Sequence, residues 1–318
     1  MSRVLLRAAA AYTATRAVLP IASRRAESDP FGVHPEAVAL SRMLPWCERV
    51  TRAHDMAAFR RAADLEPHVF SARTRRRVTV REVPGGREYL PSGGADATLL
   101  FFHGGGWAMR SVHSHDPACR LIADLAEVRI LSMEYRLAPE HPFPAAADDC
   151  FAHYQRLHND VDAIGGDSAG GNLAASVLAT ARDRDVPLPR FQWLLYPVLN
   201  AAHESPSVAT FAEGYSLSRE AMRDAIAAYL PDAATRDDRR ASPLLGDMTG
   251  LPPAYVATAL ADPLRDEGEA YAARLHAAGV PVRLDRFPLV HGFLNFTCTR
   301  SAHAAVAVAA AALRDGLR

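Results

Sequence analysis

From Val78 onward, short unbroken apolar runs alternate with longer stretches in which apolar residues recur every three or four positions. Runs of five or six apolar residues suit strands buried on both faces of a largely parallel sheet, and the longer period is that of helices with one buried side. The pattern predicts strands at Val78–Val83, Glu88–Leu90, Thr98–Phe102, Val128–Met133, Val161–Gly165, Phe191–Tyr196, Ala254–Leu260 and Val282–Phe287. It predicts helices at Pro117–Ala126, Ala145–Leu157, Ser168–Arg182, Arg219–Leu230, Asp266–Ala278 and Ala302–Leu317. Strand and helix in alternation imply an α/β sandwich with right-handed crossovers. The interval from Asn200 to Leu251 is polar, dotted with Pro and poor in strand pattern, so an excursion covering the sheet edge is expected there.

The segment before Val78 reads differently. Residues 30–72 are helix-like and carry Met43, Leu44, Pro45, Trp46, Met56 and Phe59, which suits a lid or a packing arm. In the first 25 residues, Arg3, Arg7, Arg16, Arg24 and Arg25 surround Val4-Leu5-Leu6, an Ala run and Val18-Leu19-Pro20-Ile21. Arg16 interrupts the apolar core that a signal peptide needs, so an amphipathic helix packing on the body or touching a membrane surface is expected. A cytoplasmic location follows from that reading, with secretion or membrane association as the alternative. No run approaches the roughly 20 apolar residues of a membrane span.

Composition narrows the chemistry. All 36 basic residues are Arg and none is Lys, so reactions needing a lysine amine are excluded. That removes Schiff-base and pyridoxal-phosphate enzymes, Walker-type NTPases and protein kinases. The 36 Arg meet 36 Asp+Glu, giving zero formal net charge, which argues against nucleic acid as a partner. The stretch Arg73-Thr74-Arg75-Arg76-Arg77 is read as a solvated strand entrance. Cys47, Cys119, Cys150 and Cys298 lie far apart with no C-x-x-C pair, so neither a disulfide framework nor a zinc site is expected.

Gly165-Gly166-Asp167-Ser168-Ala169-Gly170-Gly171 sits between a strand and a helix and contains G-x-S-x-G. Such a turn holds a serine in a strained conformation with its hydroxyl exposed at the strand end, and side chains at the flanking glycines would collide. Upstream, Phe102-His103-Gly104-Gly105-Gly106-Trp107 follows an apolar strand. Three successive glycines offer no packing but let backbone amides approach an oxyanion closely. A serine hydroxyl needs a histidine base and an acid to orient it. Asp262 follows one late strand and His291 the last, giving the chain order Ser, Asp, His of the α/β-hydrolase arrangement. Asp266 is the runner-up acid, one helical turn further on and better suited to an early-helix charge.

On these motifs, together with Tyr135-Arg136-Leu137-Ala138-Pro139-Glu140-His141-Pro142-Phe143-Pro144-Ala145-Ala146, Asp262-Pro263-Leu264-Arg265-Asp266-Glu267 and His291-Gly292-Phe293, the sequence resembles the hormone-sensitive-lipase-like esterases, or bacterial family IV. The motifs span roughly residues 77–297 in that family's order. The resemblance implies an α/β-hydrolase fold, a mostly parallel eight-stranded sheet flanked by helices, with a helical cap. It implies Ser168 as nucleophile, Asp262 as acid and His291 as base, with the amides of Gly104, Gly105 and Ala169 as oxyanion donors. His103 would shape the glycine loop, and Asp167, Arg136 and Glu140 would be structural. The division expected is a helical cap or arm over residues 1–75 and a catalytic domain over residues 76–318, with a cap-contributing excursion at about 200–250.

The function so implied is a serine carboxylesterase acting on short- to medium-chain esters through an acyl-enzyme, with a small-molecule ester as partner and no cofactor or metal. An amide, lactone or carbamate hydrolase using the same triad is the alternative within hydrolysis. A non-catalytic receptor on the same fold is the alternative of another class, and the presence of His291 and Gly292 weighs against it. Trp107, Phe143, Tyr196, Tyr215 and Phe293 are candidates to line an acyl site. A homodimer is compatible with the family.

Overall fold

Thr98–Phe102 shows why the sheet forms: all five residues are buried, with Leu99 and Phe101 joining the core on one face and Leu100 and Phe102 the core on the other. Covered on both sides, such a strand needs no polar alternation. The computed structural model describes residues 29–42, 56–72 and 77–318, with isolated positions 13, 14, 17, 19, 20, 22 and 74. The expectations for Met43 to Trp46, for Cys47 and for most of the first 25 residues lie outside the described residues, as do three of the four arginines between 73 and 77.

The eight strands are β1 (Val78–Val83), β2 (Gly86–Pro91), β3 (Thr98–Phe102), β4 (Arg129–Met133), β5 (Ala163–Asp167), β6 (Phe191–Leu195), β7 (Ala254–Ala261) and β8 (Val282–Val290). They form one sheet in the order β1-β2-β4-β3-β5-β6-β7-β8. β1 and β2 pair antiparallel, β2 meets β4 antiparallel, and all remaining pairs are parallel. The helices are α1 (Met56–Phe70), α2 (Asp116–Ala126), α3 (Ala145–Leu157), α4 (Ala169–Asp183), α5 (Pro206–Thr210), α6 (Arg219–Tyr229), α7 (Arg265–Ala277) and α8 (Arg300–Gly316). α2 and α8 cover one face of the sheet, and α3, α4 and α7 the other. The eight strands and six long helices expected after Val78 are present, with ends shifted by a few residues at most.

The strand order reverses at β3, whose successor β4 lies on one side while β5 lies on the other. In open parallel sheets the crevice beyond the strand ends at such a reversal receives ligands. The glycine loop leaves β3 there, and the serine turn leaves β5. A groove among Phe191, Tyr255, Val282 and Gly316 lies at the opposite ends of the strands and has no part in this crevice.

The excursion between β6 and β7 reaches the crevice at two points. Tyr229 of α6 stacks on Trp107 of the glycine loop with ring centroids 4.5 Å apart, and Ser216 Oγ donates to the carbonyl of His291 at 2.7 Å. The N-terminal segment packs on the body: residues 35–42 are helical, and Val33, Ala37, Val38 and Leu40 join the core on the α2/α8 face. Among the described residues, no helix is long and apolar enough to cross a membrane.

Candidate active site

Parallel strands place their carboxyl ends along one edge, and in this chain the residue that follows each strand is polar or aromatic. His103 follows β3, Ser168 β5, Tyr196 β6, Asp262 β7 and His291 β8. Residues far apart in sequence thereby become neighbours through the sheet register alone.

The serine turn is built by contact. A Cβ on Gly166 would lie 2.4 Å from the carbonyl carbon of Gly170, and one on Gly170 would lie 2.0 Å from the carbonyl oxygen of Phe102. Only glycine fits at either place. Ser168 takes φ 53 and ψ −119, a region that costs a residue with a side chain about 1–3 kcal/mol. Its amide donates to Leu195 at 2.9 Å, and its carbonyl accepts from Asn172 and Val198. With the backbone held on both sides, Oγ stands at the amino end of α4, where the helix dipole favours negative charge.

The Ser168 hydroxyl lies 3.0 Å from His291 Nε2, and His291 Nδ1 lies 2.8 Å from Asp262 Oδ2. Asp262 is fully buried, and its other oxygen accepts the amide of Leu264 at 2.9 Å. A carboxylate is an acceptor, so Nδ1 carries the proton toward Asp262 and leaves Nε2 able to accept from Ser168. Asp266 faces elsewhere, accepting the amide of Ser207 at 2.8 Å and pairing with Arg265.

The glycine loop is oriented from the body side by two bonds. Gly104 donates its amide to Asp167 Oδ1 at 2.8 Å, and its carbonyl accepts from His103 Nδ1 at 2.8 Å. That first bond changes the expectation for Gly104: its amide is engaged by a buried carboxylate and is not available to a ligand. Across a trans peptide N–H points opposite to C=O, so the Gly105 amide faces away from the His103 ring. The Gly105 carbonyl accepts from Ala108 and Met109, which turns the Gly106 amide outward in the same way. Gly105 (φ 121) and Gly106 (φ 58) take left-handed conformations to do so. The amides of Gly105, Gly106 and Ala169 are unengaged among the described residues.

Asp167 lies at the centre of a second buried cluster. Besides Gly104, His115 Nε2 lies 3.1 Å from its Oδ1 and the Tyr196 hydroxyl 3.4 Å from its Oδ2. Burial pushes the carboxyl up, but His115 and the Gly104 amide outweigh it and hold Asp167 below the usual carboxylate range. Burial also lowers His115. Tyr196 packs its ring edge on His291 at 4.9 Å and accepts the Leu294 amide at 3.3 Å. Glu267, also buried, accepts the Leu199 amide at 2.6 Å, and burial pushes its carboxyl up to about 8, with the nearby Asp262 charge adding to the effect and the amides of Leu199 and Asn200 opposing it.

The sequence singled out neither His115 nor the bridging roles of Tyr196 and Glu267. Glu267 stands in the first turn of a helix, where an acid is ordinary, and only its burial marks it. The aromatic candidates divide: Trp107 and Phe143 pack on Tyr229, Tyr196 and Phe293 on each other beside His291, and Tyr215 donates to Asp29.

Comparison with known proteins places residues 99–295 in a family described as alpha/beta hydrolase fold. The chain is 44% identical over 232 residues to the carboxylic ester hydrolase LipN of Mycobacterium tuberculosis, covering 67% of this chain and 61% of that protein. It is 39% identical over 212 residues to the carboxylesterase NlhH of the same species, covering 62% and 66%. The chain thus spans less than two thirds of the length of these relatives. Its structure is similar to that of an ester hydrolase from the metagenome of Lake Arreo bound to a bipyridine phosphonate derivative. That similarity has a TM-score of 0.82 at 37% identity and covers 89% of this chain and 98% of that one.

Proposed function

The chain belongs to the α/β-hydrolase family, on its hormone-sensitive-lipase-like branch, and from that premise we propose that it is a serine carboxylesterase cleaving short- to medium-chain acyl esters. The observation that carries the reading is the unbroken contact from Ser168 Oγ through the His291 ring to Asp262, with bonds of 3.0 and 2.8 Å.

In this reading Ser168 attacks the ester carbonyl while His291 Nε2 takes its proton, and buried Asp262 stabilises the imidazolium. The amides of Gly105 and Ala169, joined by that of Gly106, receive the oxyanion of the tetrahedral intermediate. Each such donor contributes about 10²- to 10³-fold to turnover. His291 then protonates the departing alkoxide. Water deprotonated by the same nitrogen attacks the acyl-enzyme, returning the proton to Ser168 as the acid departs. The acyl chain is limited by the covering α6 and glycine loop, whose Tyr229 and Trp107 form a packed aromatic group with Phe143 of the segment before α3.

Hydrolysis of p-nitrophenyl acetate, butyrate, octanoate and palmitate, beside the Ser168→Ala and Asp262→Asn variants, tests the reading. Expected are highest kcat/KM on butyrate or octanoate, little turnover of palmitate, and a loss on the order of 10⁴-fold in either variant. Retained activity in Ser168→Ala would overturn the nucleophile assignment. A p-nitrophenyl alkylphosphonate ester, a phosphonate like the ligand in the similar Lake Arreo structure, should form a bond from phosphorus to Ser168 Oγ with release of one p-nitrophenolate per parent protein, and leave Ser168→Ala untouched.

A further inference from the structure

Helix α1 belongs to the N-terminal segment, yet it lies in register alongside the outer half of the glycine loop. Arg60 donates from Nε to the Ala108 carbonyl at 2.9 Å, and from Nη2 to the Ala138 carbonyl at 2.9 Å. The same guanidinium forks onto both oxygens of Glu140 at 3.0 and 2.7 Å. One turn further along α1, the direction reverses: Arg110 of the loop donates to the Ala63 carbonyl at 3.1 Å and to Glu66 at 3.0 Å. Another turn on, His68 Nε2 donates to the His113 carbonyl at 2.9 Å. Positions 60, 63 and 66, and 68 thus meet 108, 110 and 113 in order.

The inner half of the glycine loop is fixed by the body, through Asp167 and His103. The outer half is held by the body and by α1 together. It contains two residues with side chains in the left-handed region, Trp107 at φ 57 and Arg110 at φ 72. Each costs about 1–3 kcal/mol and persists only where its surroundings over-determine it. Trp107 is held by stacking on Tyr229 and by its carbonyl, which accepts from Ala138. Arg60 binds the carbonyls of Ala108 and Ala138, on both sides of that contact, and the planar fork of a guanidinium can span them where an ammonium cannot.

We propose that Arg60 is a positioning residue: acting from the N-terminal segment, it fixes the turn from Gly105 to Ala108 and so sets the direction of the amides that receive the oxyanion. The proposal rests on the esterase reading of the site. It makes α1 a working part of the catalytic apparatus in addition to a cover over the core.

The test compares the parent protein with Arg60→Met, Arg60→Lys and, as a control on the same helix, exposed Arg61→Gln. It measures kcat and KM for p-nitrophenyl butyrate, the affinity of a trifluoromethyl ketone whose adduct carries an oxyanion, and the midpoint of thermal unfolding. Arg60→Met is expected to lose about tenfold or more in kcat, since displacement of about 1 Å is enough for such losses, with KM changed less than about twofold. The ketone affinity should fall in parallel, and Arg61→Gln should match the parent. Arg60→Lys, which keeps the charge but cannot span both carbonyls, should show the same split at smaller size, and it carries the test if Arg60→Met does not fold. A drop in thermal midpoint with kcat and ketone affinity intact would reduce Arg60 to a structural contact and overturn the proposal. A parent protein with no ester turnover would instead overturn the esterase reading, and the proposal with it.

Discussion

Asp167 and Gly104 are joined by a 2.8 Å bond in which the carboxylate accepts the glycine amide, so the residue before Ser168 also holds the start of the glycine loop. Ser168 and the loop are thereby set relative to one another by a single buried carboxyl group. Asp167→Asn keeps an acceptor for the amide but removes the charge that faces His115. We expect kcat to fall about tenfold with the fold intact. Asp167→Ala leaves a buried amide unpaired, adding about 1–3 kcal/mol of lost stability. Steady-state kinetics and urea unfolding of the two variants separate these effects, and an Asp167→Asn protein as active as the parent would count against the charge having a role.

Glu267 supplies a pH-dependent prediction. Its carboxyl is pushed up to about 8 in the folded protein, against about 4.3 for a free glutamate. Between those values the unfolded chain releases a proton that the folded chain keeps, so its contribution to stability is present in acid and is lost as pH rises toward 8. Glu267→Gln still offers an oxygen to the Leu199 amide and does not titrate. Denaturation at pH 5, 6.5 and 8 should show the variant gaining on the parent protein as pH rises. A constant difference across that range would refute a buried neutral acid.

Tyr196 links the serine strand to the histidine loop through two bonds from one hydroxyl, one to Asp167 and one from Leu294. Tyr196→Phe keeps the ring against His291 and removes both bonds. The expected result is a stability loss of about 1–2 kcal/mol and a several-fold lower kcat, read by calorimetry and p-nitrophenyl butyrate hydrolysis. Unchanged kcat would show that the ring alone positions the base.

Gly170→Ala should be among the most damaging of small substitutions. Its Cβ would lie 2.0 Å from the backbone oxygen of Phe102, and backbone on both sides of the contact leaves nothing flexible to yield. Soluble expression and near-ultraviolet circular dichroism should show a protein that has lost its fold, or one with an opened β3–β5 crevice and no activity.

The strands and long helices after Val78 were legible because β3, β5, β6 and β7 are short, mostly apolar runs buried almost throughout, a pattern with few alternatives. Ser168, Asp262 and His291 could be picked out because each follows a strand end and the structure brings them into contact. The engagement of Gly104 could not be read. Three glycines in a row announce a backbone that approaches something closely, but which amide meets a carboxylate depends on Asp167, which the sheet brings alongside through β3–β5 pairing. The contact of the excursion with the glycine loop could not be read either, because nothing local records that Tyr229 will find Trp107. Arg60 was unreadable for a similar reason: the two acceptors that tie it to the loop are backbone carbonyls, which carry no signature in side-chain chemistry.

His291 follows the final strand, so during synthesis the polypeptide acquires its glycine loop and Ser168 long before His291, which comes into place only when β8 has docked beside β7. Under the esterase reading, ester turnover would therefore report completed sheet assembly. Two halves produced by cutting the gene in the connection that precedes β7 are expected to be silent apart, and recovered hydrolysis on mixing would measure their reunion.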